Sequence, residues 1–404
     1  MYLEQKRILA WSFFDFANSS YALLIQSLLF SVYFREVIAQ NSPNADLLWG
    51  ISVAASILIG GILSPFLGAI ADFSGKRKKF FVGFTLAAIG GTALLYFLNA
   101  GMIYEAMILF ITTNICYLVA ILFYDSFLVS IISKEKRGSV SGLGWGLGYL
   151  GGILAIGLFY PLFSAGYEVN PELYRLTFPS VALFFLVFSL PSFIYLKESK
   201  GRGDNYFKRG YQRVFLTLKR WRSYKNVFLF LLAYYFIEDG LTTVFNFTSI
   251  FAKVTLQMPI KEIVIVFLVI QIIAFPATIW FGKLADRYSN KKILMTTILG
   301  WCLITIMLAA LTTKTVFYAV AIATSFVIGS SQATARALFS KIIPRTKASE
   351  FFGFNSFATK ISSTFGPLLF GVISTTTGSQ RYALLSIVLF FVVGFALILF
   401  VKET

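Results

Sequence analysis

A carboxylate and an amide stand three residues apart in WSFFDFANSSYALL, residues 11 to 24, a stretch greasy enough to span a bilayer. Asp15 can hold a cation, an ammonium group or a proton, and Asn18, one turn on, shares its helix face. A second pair of acids, Glu238 and Asp239, lies in YFIEDGLTT, residues 235 to 243. Asp125 in FYDSFL, and Gln332 and Arg336 in SQATARALF, add polar groups to equally apolar runs. A charge at the bilayer centre costs about 2.5 to 3.5 kcal/mol, so such side chains turn to a bundle interior or a wet cavity. This chemistry suits reversible capture of a small polar solute, and a carboxylate in apolar surroundings suits coupling to a proton. For Asp15 and Asp239 a structural ion pair or a helix-end cap is the competing reading.

Other chemistries lack their residues. With no histidine in 404 residues, a His-based metal site or proton relay is excluded. Cys116 and Cys302 both lie within apolar runs, which gives no support to a disulfide framework or a thiolate metal site. No G-x-x-x-x-G-K-[ST] phosphate loop is present for ATP-driven pumping. An enzyme is not expected, nor a metal or any cofactor, and an ion gradient must supply any energy.

The elements that carry these residues follow from composition. The chain is 57% hydrophobic and 18% aromatic, with 13% charged residues, which is the composition of an integral membrane protein. About 20 mostly apolar residues make one crossing. Apolar runs predict twelve helices, at 8–34, 48–71, 80–99, 103–130, 140–163 and 175–196, then at 226–252, 262–285, 293–312, 315–340, 351–376 and 382–401. The first of them serves as the targeting signal, since no small-residue cleavage site follows it. Two six-helix bundles result, 1–196 and 226–404, joined by a basic linker at 197–225.

Lys and Arg gather in alternate loops, which places both termini in the cytoplasm; a prokaryotic cell membrane is the expected location. The net charge of +17 is accounted for by basic loops lying against anionic lipid, so a nucleic-acid partner is not needed. Within the linker, YQRVFLTLKRWRSYK sets Val214, Phe215, Leu218 and Trp221 at helical spacing among basic residues. That pattern predicts an interfacial helix on the inner leaflet, with docking of a protein partner as the alternative. In helix five, Gly144, Gly148 and Gly152 form a small-residue face for close helix packing.

The halves repeat. GAIADFSGKRKKF (68–80) follows the second helix and GKLADRYSNKKI (282–293) follows the eighth, setting Gly68 and Asp72 opposite Gly282 and Asp286. Parallel six-helix repeats are a layout of secondary transporters that rock about a central site. The two stretches resemble G-x-x-x-D-R-x-G-[RK]-[RK], the loop signature of the major facilitator superfamily, with Phe73 and Ser289 as departures from it. That resemblance implies twelve helices, alternating access and a conformational latch, here Gly68, Asp72, Gly282, Asp286 and Arg287.

A narrower likeness is carried by WSFFDFANSSYA, FYDSFL, SVSGLGWGLGYLGG, SQATARALFSKIIP, EFFGF and FGPLLFG. Together these resemble the vacuole effluxer-like branch, named for a vacuolar amino-acid exporter. Asp125 stands where that branch has Asn, and Ala335 and Asn355 replace its usual Ser and Tyr. The resemblance implies a solute transporter, with an amino acid as one candidate, and a cavity lined by helices one, four, seven and ten. Its candidate binding or coupling residues are Asp15, Asn18, Tyr21, Asp125, Glu238, Asp239 and Gln332. By helical rise Asp15, Asp125, Arg336 and Lys360 lie within about three turns of the inner surface and form a candidate gate, with snorkelling as the plainer reading of the two bases. The expected partners are the solute, a proton or sodium ion and membrane lipid, with the protein a monomer. A receptor or assembly factor on the same fold is the alternative function.

Overall fold

A computed structural model describes residues 2–198, 206–254, 256–310, 313–362 and 365–403. Among these residues eleven helical stretches are long and apolar enough to cross a membrane. The chain is a multi-pass membrane protein. The twelfth expected crossing, 351–376, lies in two helices on either side of residues 363–364, which fall outside the described residues.

In order, the first half contains α1 (Tyr2–Ser20), α2 (Leu29–Tyr33), α3 (Ala45–Ser74), α4 (Arg77–Leu94), α5 (Ile103–Ile131), α6 (Arg137–Phe163) and α7 (Pro171–Tyr195). After α8 (Tyr206–Lys219) come α9 (Lys225–Val254), α10 (Ile260–Arg287), α11 (Asn290–Ala310), α12 (Lys314–Ile342), α13 (Ala348–Ser362), α14 (Phe365–Thr377) and α15 (Gln380–Phe400). In hydrocarbon every backbone group must be satisfied within its own segment, which is why apolar runs of this length become helices. Local signals set several ends: Gly75 closes α3 at φ 73°, and the Asn170 side chain accepts from the Leu173 N–H at 3.0 Å to open α7.

The first crossing departs from a plain α-helix. Tyr21–Leu28 and Phe34–Ile38 are π-helical, so the Leu29 N–H reaches back five residues to the Leu24 carbonyl. Each wide turn holds an extra residue, and such turns are frequent at functional sites. The sequence pattern of a continuous helix at 8–34 contains no sign of it.

Packing divides the chain into two compact units. The first comprises 1–131, 147–214 and 346–353, and the second 132–146, 215–345 and 354–404. Glycines explain how α6 contributes to both. Its first turns meet α10 through Gly138, Gly142 and Gly146, where an added Cβ would lie 2.7, 2.7 and 2.8 Å from Gly282 O, Thr278 O and Ile279 Cγ1. Its later turns meet α1 at Gly148 and Gly151, the latter within 2.1 Å of Phe16 O by the same measure. The stripe Gly144, Gly148 and Gly152 captures one of these five, because a glycine-rich helix offers several equally spaced faces and its neighbours decide which are used.

In the first unit α8 lies on α3, with Gly210 against Ile70 and the Tyr211 ring stacked on Phe66 at 5.0 Å. Val214 is therefore buried, while Phe215, Leu218 and Trp221 remain exposed. The expected linker helix is present, and residues 199–205 of the linker lie outside the described residues.

Candidate functional site

Each unit holds its own polar constellation. In the first, α1 and α5 present their acids beside a chain of amides and hydroxyls. The Asn18 amide donates to Phe14 O at 2.8 Å and to Asp15 Oδ1 at 3.5 Å, and Tyr117 donates its hydroxyl to Asn18 Oδ1 at 3.3 Å. Both Asp15 and Asp125 lie within electrostatic reach of the Tyr117 hydroxyl. Tyr21 packs its ring on Tyr117 at 4.5 Å and donates to Asn114 Oδ1 at 3.4 Å. Gln26, on the π-helical segment, also donates to Asn114, and the Asn114 amide donates to Ser56 Oγ at 2.7 Å.

Asn114, Tyr117, Gln26 and Ser56 were not singled out from the sequence. One signal for Asn114 existed: an amide in the apolar run FITTNICYL is as exceptional as Asn18. Trp11, by contrast, is structural, donating to Tyr124 O at 2.9 Å and stacking on that ring at 4.5 Å.

In the second unit α9 offers Glu238 and Asp239 to different surroundings. Glu238 faces Lys360 of α13 and takes hydrogen bonds from Tyr234 and Gln332. Asp239 is fully buried and accepts the Gly366 N–H at 2.9 Å, at the start of α14. The structure thus brings Glu238, Gln332 and Lys360 together. Arg336 lies elsewhere, donating through Nε to Ser141 Oγ at 2.9 Å and through Nη2 to Ser141 O at 3.0 Å, with its guanidinium 5.6 Å from the Trp145 ring.

The repeated loop motifs have parallel geometry. In the first unit Asp72 accepts from Arg77 Nη2 at 2.8 Å and from the Glu350 N–H at 2.9 Å. A Cβ on Gly68 would lie 2.1 Å from Ser349 O, and one on Gly353 2.5 Å from Ser64 O, so both glycines are needed for the contact. In the second unit Asp286 accepts from the Gly138 and Ser139 N–H groups at 2.7 and 2.6 Å, and Gly282 lies against Gly138 O. Each aspartate therefore meets orphan N–H groups at the first turn of a helix, a favourable place for an anion. Arg287 stands apart from Asp286, exposed and over the Tyr288 ring at 5.5 Å. It does not join the other latch residues because the backbone of α6 already occupies both Asp286 oxygens.

Two further glutamates, one at the end of each half, cap a helix start in the same way. Glu198 accepts the Lys78 and Lys79 N–H groups at 2.6 and 3.4 Å, at the start of α4. Glu403 accepts from Asn290 N at 3.1 Å, Lys291 N at 2.9 Å and Ser289 Oγ at 2.6 Å, at the start of α11, and pairs with Lys341 at 3.1 Å. The endings YLKES and FVKET are a second internal repeat.

The family described as vacuole effluxer Atg22 like matches residues 44–404. The chain belongs to that family. It is 31% identical over 408 residues to the uncharacterized MFS-type transporter YxiO of Bacillus subtilis, covering 98% of this chain and 94% of that one. It is 26% identical over 282 residues to autophagy-related protein 22 of Kluyveromyces lactis, 64% of this chain and 57% of that one. Among solved structures, the proton:xylose symporter XylE aligns with a TM-score of 0.72 at 16% identity, covering 100% and 96% of the two chains. A bacterial homologue of the iron transporter ferroportin, in its outward-facing state, aligns at 0.75 with 13% identity and 98% coverage of both. The fold is that of the major facilitator superfamily, and this Atg22-like protein is a membrane transporter, not an enzyme.

Proposed function

We propose that the protein moves a small polar solute, an amino acid by preference, by alternating access, with candidate binding residues on helices one and four of one unit and on helices seven and ten of the other. The observation that carries the reading is the matched pair of polar constellations: Asp15, Asn18 and Tyr117 in one unit, Glu238, Gln332 and Lys360 in the other. Both sets are costly in lipid. An ammonium group suits Asp15 and Asp125. A carboxylate suits Arg336, whose guanidinium is steadied by Ser141 and Trp145.

Coupling, where present, falls to a carboxylate of α9, since no histidine exists to titrate. The gate residues Asp15, Asp125, Arg336 and Lys360 and the two aspartate latches are the groups that bias the alternating-access equilibrium in this reading. Both termini face the cytoplasm, and α8 lies on the inner leaflet through Phe215, Leu218 and Trp221, with Lys219, Arg220 and Arg222 toward anionic headgroups.

The test is flux. Purified protein in liposomes is screened for counterflow of radiolabelled amino acids, with sugars and dipeptides as comparison sets. Saturable counterflow by one class identifies the solute. A receptor or assembly factor would show ligand-dependent thermal stabilisation with no counterflow.

A further inference from the structure

Two adjacent carboxylates on α9 differ in what meets their charge. Each keeps one oxygen without a hydrogen-bond partner, Oε2 of Glu238 and Oδ2 of Asp239. For Glu238 the Lys360 ammonium is at hand, with Tyr234 and Gln332 as donors. Among the described residues no cation acts on Asp239: burial and the Gly366 N–H are what act on it. A buried ionised carboxylate opposed by one neutral N–H is heavily penalised, and a proton on the bare oxygen removes the penalty while leaving Oδ1 to accept from Gly366.

Among the described residues the neighbouring elements bring no other charge to Asp239. On α9 itself the ionisable neighbours are Tyr235 and Glu238. Helix α14 has no ionisable side chain, and those of α15, Arg381 and Tyr382, lie in its first turn with Arg381 on Ala309 O. From α12, Gln332 faces Glu238, while Arg336 is on Ser141 and Lys341 on Glu403. Lys360 of α13 faces Glu238. On α10 and α11 the described charged groups lie at helix ends, Glu262, Lys283, Asp286, Arg287, Lys291 and Lys292.

The approach of α14 is tight. A Cβ on Gly366 would lie 2.0 Å from Thr243 Oγ1 and 2.8 Å from Asp239 Oδ1, so glycine alone lets the N–H come this near. We propose that Asp239 is a proton-binding site distinct from Glu238, and that its occupancy decides whether the start of α14 stays docked on α9. Protonated, the carboxyl is neutral and keeps the Gly366 N–H. Ionised, it draws water to the bare oxygen and parts the two helices. This assignment deepens the transport reading and rests on it for its purpose, but its test needs no solute.

Infrared difference spectra between high and low pH, on full-length protein in lipid nanodiscs, report the carbonyl stretch of protonated carboxylic acids directly. The band should be present in the wild type, lost in Asp239→Asn and kept in Glu238→Gln. Hydrogen exchange of the peptide over 365–377 should rise with pH beyond the intrinsic rate in the wild type and lose that excess in Asp239→Asn. A band that survives Asp239→Asn, or disappears only in Glu238→Gln, overturns the proposal. So does the absence of a band together with sodium-dependent thermal stabilisation, which would make the ligand a metal cation. Should Asp239→Asn fail to fold, Asp239→Glu decides: a band displaced in frequency supports the site, and a band identical to the wild type overturns it. A band without flux would sink the transport reading and leave the proton site standing, and flux without a band would do the reverse.

Discussion

The carboxylate of Asp72 accepts the backbone N–H of Glu350 at 2.9 Å and, on its other oxygen, the Arg77 guanidinium at 2.8 Å. Both groups are buried, so loss of the carboxylate leaves a buried guanidinium and an orphan helix N–H. Breaking a buried pair from one side costs about 3 to 5 kcal/mol. In a background free of Cys116 and Cys302, thiol labelling of Ser349→Cys should rise roughly tenfold or more when Asp72→Ala is added. Unchanged labelling would mean that the contact does not hold α13 in place.

Neutralising both acids of α9 separates coupling from carriage. Glu238→Gln with Asp239→Asn should abolish gradient-driven accumulation of the solute in liposomes while counterflow stays measurable. If accumulation persists at the wild-type level, neither acid belongs to the coupling mechanism.

Arg336→Ala tests the gate. With the cationic side of the gate reduced to Lys360, the inward-open arrangement should gain population, by a few kcal/mol at most. Labelling of Ser19→Cys, beside Asn18, by an impermeant thiol reagent added from the cytoplasmic side should increase. No increase would leave Arg336 as a purely structural partner of Ser141 and Trp145.

Glu403 gives a pH dependence with a definite sign. Burial pushes its carboxyl up, but Ser289, the Lys291 N–H, the Lys341 ammonium and the Asn290 N–H outweigh it and hold the group at about 2. A depressed carboxyl stabilises the fold above the unfolded value and loses that contribution as pH falls toward the folded one. Glu403→Gln should therefore lower thermal stability at neutral pH, by up to about 3 kcal/mol. The gap between variant and wild type should narrow between about pH 4 and pH 2. A gap of constant size over that range would assign the loss to packing.

Much of this was legible in the residues. Eleven of the twelve apolar runs correspond to membrane-length helices among the described residues, because lipid leaves a chain so few ways to satisfy its backbone. The repeat at Gly68 and Gly282 pointed to two close helix contacts, yet their partners, Ser349 and Glu350 in one case and Gly138 and Ser139 in the other, are backbone groups that no composition marks. Asn114 was passed over among apolar neighbours, although an intramembrane amide carries the same cost as Asn18. The π-helical turns after Ser20 leave no trace at all, since one extra residue in a turn does not change which residues are apolar. Glu198 and Glu403 could have been found by aligning the ends of the halves, YLKES with FVKET.

The first packed unit contains residues 346–353 as well as the chain up to Ile131, and this fixes an order of manufacture. A ribosome delivers the opening crossings long before Ser349, Glu350 and Gly353 exist, so Gly68 and Asp72 wait in the membrane without their seat while about 280 further residues are made. Expressing the halves as separate polypeptides divided in the linker would yield an amino-terminal fragment lacking that closing segment, and only co-expression would let the second fragment supply it.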